Sequence, residues 1–158
     1  MRGRKSAKDD DLERAAELLS LTLPIVRRKL LRDLFKTGQD QFGEETALHH
    51  MMIMKVLAES GGRSNPTEIG EILGISKPQM TYLIDQLISL ETVRRQHDAE
   101  DRRKINIRLT EKGKTTLEHA ERLLKDRLKA RLSSLGEGDL RELADSLGNM
   151  AKILSKMQ

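Results

Sequence analysis

Apolar residues recur at helical spacing from Leu12 to about Phe35, through Ala15, Leu19, Thr22, Val26, Leu30 and Leu34, which predicts a long amphipathic helix. Pro24 falls inside it and predicts a kink or a later start. Ahead of it, Met1 to Asp11 (MRGRKSAKDDD) offers only Met1 and Ala7 as apolar residues. That is too little to order a segment, so residues 1–11 are expected to form a disordered basic tail. Glu44 to Ser60 carries an almost wholly apolar stretch (Met51, Met52, Ile53, Met54, Val56, Leu57), the pattern of a central buried helix ended by Gly61-Gly62.

Two short helical segments follow, Pro66 to Leu73 and Lys77 to about Leu90, separated by Gly74-Ile75-Ser76. Pro66 suits a first helical position, Gly74 the turn that ends one helix, and Ser76 the cap of the next. This is helix-turn-helix punctuation. Beyond Leu90 the period changes to two. Ile105, Ile107 and Leu109 alternate with Lys104, Asn106 and Arg108 as in a half-buried strand, and Val93 to His97 is its antiparallel partner through Asp98-Ala99-Glu100-Asp101. A charged hairpin directly after a helix-turn-helix is a wing. Thr110 caps a final helix pair, roughly Glu111 to Leu135 and Asp139 to Met157, with Gly136 and Gly138 in the break. Their apolar stripes run through Leu117, Ala120, Leu124 and Leu128, then Leu140, Leu143, Leu147, Met150 and Leu154. Helices this amphipathic at both ends of the chain need a partner surface, and a second copy of the chain is the economical one.

Composition narrows the classes. The 158 residues are 37% hydrophobic and 34% charged, which fits a folded chain rather than a disordered or membrane-embedded one. No apolar run reaches the length of a bilayer span, and the first residues lack the apolar core of a secretory signal, so a cytoplasmic protein with no membrane partner is expected. The absence of cysteine excludes disulfides, thiolate zinc sites and thiol redox sensing. A net charge of +4 favours polyanions weakly. With only Phe35, Phe42 and Tyr82 as aromatics, the stacking platforms of a single-strand binder are missing.

On the second helix of the helix-turn-helix, Met80, Leu83, Ile84 and Leu87 share one face. Pro78, Tyr82, Asp85 and Gln86 lie opposite, with Gln79 and Thr81 at the flanks. The exposed face is polar and free of large aliphatics, as a helix entering a major groove must be. Ser76, Lys77, Pro78, Gln79, Thr81, Tyr82 and Gln86 are the candidate DNA contacts there, against the alternative of an ordinary solvated helix. The hairpin gathers Arg94, Arg95, Arg102, Arg103, Lys104 and Arg108 against Asp98, Glu100 and Asp101. Arginines at a hairpin tip can enter a narrow minor groove, so Arg94, Arg95, Arg102, Arg103 and Lys104 join the DNA-contact set. A basic hairpin can also be a solvated, aggregation-resistant edge, but its place after a helix-turn-helix argues otherwise.

The stretches Leu73-Gly74-Ile75-Ser76, Tyr82-Leu83-Ile84-Asp85-Gln86-Leu87 and, above all, Asp98-Ala99-Glu100-Asp101-Arg102-Arg103 followed by Ile107-Arg108-Leu109-Thr110-Glu111-Lys112-Gly113 resemble the MarR family of regulators. The resemblance runs from about Leu12 to the end of the chain and is most specific in the wing. It implies a triangular homodimer joined by its N- and C-terminal helices, bound to a palindromic operator in double-stranded DNA and often released by a small ligand. The chain departs from the family at Glu91-Thr92, where a Gly usually precedes the first wing strand, and at Asn65-Pro66. The resemblance also makes Arg103 the partner of Asp85, with Asp101 in the same wing-bracing group, and leaves Arg102 for the minor groove, although the two arginines could exchange roles. Physics independently asks for such a brace, because a carboxylate turned toward phosphates is repelled unless a cation neutralises it.

His49 and His50 are adjacent and point about 100° apart on a helix, which suits surface or capping roles better than one metal ion. Met51, Met52 and Met54 are candidates to line an effector pocket, against plain core packing. No nucleophile motif, phosphate loop or acid–base pair stands out, so neither an enzyme nor a cofactor is expected. The expected fold is mainly α with a small β-hairpin wing, a winged helix-turn-helix with N- and C-terminal dimerisation helices. It is ordered as a tail (1–11), an N-terminal dimerisation helix and loop (12–43), the DNA-binding region (44–110) and C-terminal dimerisation helices (111–158). The expected function is sequence-specific transcriptional repression, relieved by a small apolar or phenolic effector. The alternative is a winged-helix interaction module that binds an acidic protein partner.

Overall fold

The computed structural model describes residues 6–32, 34, 43–97 and 105–157. Helix α1 (Ala7–Val26) starts earlier than its apolar pattern suggests, because its polar first turn is capped. The Ser6 hydroxyl accepts from the Lys8 N–H at 3.1 Å, and the Asp9 carboxylate accepts from the Ser6 N–H at 3.1 Å. Residues 6–11, expected in a disordered tail, therefore begin the helix; Met1 to Lys5 lie outside the described residues. Pro24 stays within α1, but a π-helical turn, Arg27–Leu31, follows at once. Proline cannot donate to the carbonyl four residues back, and the Ser20 and Thr22 hydroxyls add side-chain bonds to the Ala16 and Leu18 carbonyls at 2.8 and 2.7 Å. No residue of α1 is buried.

The core forms where α2 (Glu44–Glu59) meets the helix-turn-helix and a small sheet. Ile53, Met54, Val56 and Leu57 of α2 pack in one cluster with Ile69, Met80, Leu83, Ile84, Leu87, Val93, Ile107, Leu109 and Leu117. Helix α3 (Pro66–Leu73) opens on Asn65, whose side chain accepts from the Glu68 N–H at 2.9 Å, and closes on Gly74 in the left-handed region at φ 65°. The Asn65-Pro66 pair is thus a helix start. Helix α4 (Lys77–Ser89) has Ser76 in the capping position, but the Ser76 side chain makes no cap bond.

The sheet has three strands where the sequence pattern shows two. β1 (Arg63–Ser64) pairs with β3 (Ile105–Leu109), which also pairs with β2 (Val93–His97), all antiparallel. A two-residue strand is too short to display an alternating period. Between α4 and β2, Glu91 takes φ 60°, doing in the left-handed region what glycine does without a Cβ clash. Its N–H donates to the Ile88 carbonyl at 2.8 Å. The Thr92 hydroxyl donates to the Leu87 carbonyl at 3.0 Å. The Thr110 hydroxyl accepts from the Gly113 N–H at 3.0 Å and caps α5 (Glu111–Leu132).

Met1–Leu124 and Lys125–Gln158 form separate units. The second contains the last turns of α5 and helix α6 (Glu137–Leu154), in which no residue is buried. No helix among the described residues is long and apolar enough to cross a membrane.

Candidate nucleic-acid interface

Helix α4 is held by its apolar face and offers the other. Met80, Leu83, Ile84 and Leu87 are buried, and Ser76, Lys77, Pro78, Gln79, Thr81 and Tyr82 are exposed at its N-terminal half. Tyr82 keeps 59% of its surface, the one large ring in an otherwise short polar face. Thr81 turns its hydroxyl back onto the Lys77 carbonyl at 3.0 Å. Lys77, Gln79 and Thr81 are exposed together, and residues of these types carry donors for base edges or phosphates and a methyl suited to a thymine methyl.

Gln86 departs from this set. It is buried, and its Oε1 accepts a hydrogen bond from the Nε2–H of His50 on α2 at 3.1 Å. The sequence pattern sets Gln86 opposite the apolar face of α4, but at 100° per residue it falls nearer the flank that α2 covers, so it joins helices instead of facing outward. His50, expected at the surface or at a cap, is buried as its partner. A buried imidazole and a buried amide each need such a bond, which fixes α4 against α2.

Asp85 has a cation partner, and the pair in view is with Arg95 of β2. The Arg95 Nη2–H donates to Asp85 Oδ1 at 2.6 Å, between half-exposed side chains. The expected partner, Arg103, lies outside the described residues, as do Asp101, Arg102 and Lys104. Arg94 does not join Arg95. It lines a groove of about 790 Å³ together with Lys55, Glu59, Arg108, Lys114 and other residues of α2 and α5. Successive strand residues face opposite ways, so Arg94 points away from the face that carries Arg95 and α4.

Met54 is buried in the core and Met51 packs on it, because α2 turns that side toward α4 and the sheet; none of the three methionines lines the groove. Among the described residues no three His, Asp or Glu side chains gather as a metal site.

Residues 46–104 match the model of the MarR family. The chain is 34% identical over 94 residues to YpoP of Bacillus subtilis, an HTH-type transcriptional regulator, covering 57% of this chain and 66% of YpoP. The chain is thus similar to the MarR family over this central segment. It is also 37% identical over 67 residues to YetL of Bacillus subtilis, an HTH-type transcriptional repressor, covering 42% of this chain and 40% of YetL. The shared segments thus span less than two thirds of either relative's length. Among solved structures, wild-type MarR from E. coli, in its apo form, superposes with a TM-score of 0.66 at 18% identity, over 84% of this chain and 95% of that one. At that identity the likeness speaks for the fold, a winged helix shared across the family.

Proposed function

We propose that the protein is a sequence-specific double-stranded DNA-binding transcriptional regulator that acts as a homodimer. The observation that carries this reading is α4: its apolar face is locked into the core, its N-terminal half presents a short polar face, and a basic hairpin follows it directly. On this reading Ser76, Lys77, Pro78, Gln79, Thr81 and Tyr82 meet a major groove, while Arg102, Arg103 and Lys104 meet phosphates or an adjacent minor groove. The Asp85–Arg95 pair holds the hairpin root to α4 and neutralises a carboxylate that would otherwise repel DNA. Two copies related by a two-fold axis imply a palindromic operator with half-sites one helical turn apart.

Repression relieved by a small effector, in the cytoplasm, is the finer form of the proposal. YetL is named a repressor, which supports the sign of the regulation. The decisive experiment is a binding titration with duplexes tiled across the DNA flanking the protein's own coding region, against random duplex, at several salt concentrations. One duplex bound far more tightly, with a log–log salt slope of about −0.9 for each phosphate neutralised, supports the reading. Equal affinity for all duplexes, or capture of an acidic protein without DNA affinity, overturns it.

A further inference from the structure

Three arginines stand in one row across the sheet. Arg108 on β3 is directly opposite Arg63 on β1 and directly opposite Arg94 on β2. Residues so paired project from the same face, and like charges placed there destabilise a sheet. With strands about 4.8 Å apart, the row spans about 10 Å. All three arginines are exposed, and none has a carboxylate of the described residues within ion-pair distance. Arg108 reaches the Gln96 side-chain oxygen only at the long distance of 3.5 Å. Packing gives no evident reason for such a row, since like charges set side by side add repulsion along the sheet.

The row opens on the groove described above, which Arg94 and Arg108 line along with Leu109 and Leu117. Its two lysines are already engaged, Lys55 with Glu121 at 3.4 Å and Lys114 with Glu111 at 2.7 Å. Glu59 and Glu118 also line it, so its free cationic character is confined to the sheet. On the opposite face of β2, Val93 enters the core and Arg95 holds Asp85 of α4. A duplex seated on α4 therefore lies on the other side of the sheet from the row.

We propose that Arg63, Arg94 and Arg108 form a binding site for a small, multiply charged anion carrying carboxylate or phosphate groups. Planar guanidinium forks bind either group through paired N–H donors, and three forks about 10 Å from end to end suit a compact molecule with two or three anionic groups. Binding removes the repulsion along the row, so the folded protein gains stability with the ligand.

The test uses the full chain without DNA, which keeps it separate from the regulatory reading. Citrate and pyrophosphate, each matched in ionic strength by sodium chloride, are titrated by calorimetry and by thermal melting. Saturable binding of one or both anions is expected, and the two arms show whether carboxylate or phosphate chemistry is preferred. Arg108→Gln, at the centre of the row, should weaken that binding roughly tenfold or more, as loss of a charge-assisted hydrogen bond implies. Arg108→Lys, which keeps the charge but loses the fork, should fall in between. Without anion, Arg108→Gln should melt no lower than wild type, because it relieves repulsion. The proposal is overturned if neither anion binds beyond the chloride control, if Arg108→Gln binds as wild type does, or if that variant is destabilised in chloride alone.

Discussion

A methyl group is enough to test how tightly the wing root is built. A Cβ on Gly113 would overlap the Thr92 carbonyl oxygen and lie 2.8 Å from the Leu109 Cδ1. Backbone cannot yield as a side chain can, so Gly113→Ala is expected to cost about 1–3 kcal/mol, toward the upper end, in denaturant unfolding. Glu91 offers a test by pH. The Lys112 ammonium donates to its carboxylate at 2.8 Å and, by that bond and by charge, holds its carboxyl below the usual carboxylate range. A depressed folded-state pKa stabilises above the unfolded value and ceases to as pH falls through the folded one. The melting difference between wild type and Glu91→Gln should thus be present at neutral pH and fade on acidification below the usual carboxylate range; a difference that grows there refutes the pairing. At this scale the sequence was only partly legible. Asp85 was recognisable as needing a cation, yet a sequence does not choose between Arg95 and Arg103. Gln86 reads as an outward residue because it is polar and is grouped with Tyr82 and Asp85 opposite the apolar face, and only the arrival of His50 from α2 makes burial affordable.

Elements were easier to read, because periodicity and punctuation reinforce each other. The Pro66, Gly74 and Thr110 signals mark helix ends in the structure, and the alternation around Ile107 marks a strand. What escaped were devices without a period: the two-residue β1, the Asn65 cap and the Ser6–Asp9 box that carries α1 into a polar segment. The junction between α4 and β2 matters most for binding. If Arg95 sets the hairpin against α4, Asp85→Ala should weaken DNA binding although it deletes a negative charge near phosphates. Electrostatics alone predicts the opposite sign. A cycle of wild type, Asp85→Ala, Arg95→Ala and the double variant against one duplex separates the two. The pair is half exposed, so a coupling of roughly 0.2–1 kcal/mol is expected, rising if DNA excludes water from it. Additive effects, with tighter binding by Asp85→Ala, would return the pair to the solvated surface.

At the scale of the molecule, each outer helix is amphipathic and keeps much of its apolar surface exposed. Leu12, Leu18, Leu21, Leu23 and Ile25 of α1 are each more than half exposed, and Leu140, Leu147, Met150, Ile153 and Leu154 of α6 stay open as well. Apolar surface of this extent, at about 25 cal/mol per Å², is a strong drive toward association. The same stripes are visible in the sequence, which shows that they need cover but not how two copies align, since that depends on shape and not on period. The homodimer reading makes α6 the critical element. Removing residues 137–158 deletes its apolar stripe while leaving the buried cluster of α2, α3, α4 and the sheet intact, so the shortened chain should keep its helical signal. It should sediment as a monomer, or aggregate through α1, and lose tight operator binding, because one recognition helix forfeits the second half-site and the avidity that links them. Single substitutions separate lost association from lost folding: Leu147→Asp and Met150→Asp lie on the exposed stripe, contribute nothing to the core, and should give well-folded monomers. If both variants and the truncated chain remain dimers in sedimentation, α6 is not the interface, and the α1 stripe becomes the surface that joins the two copies.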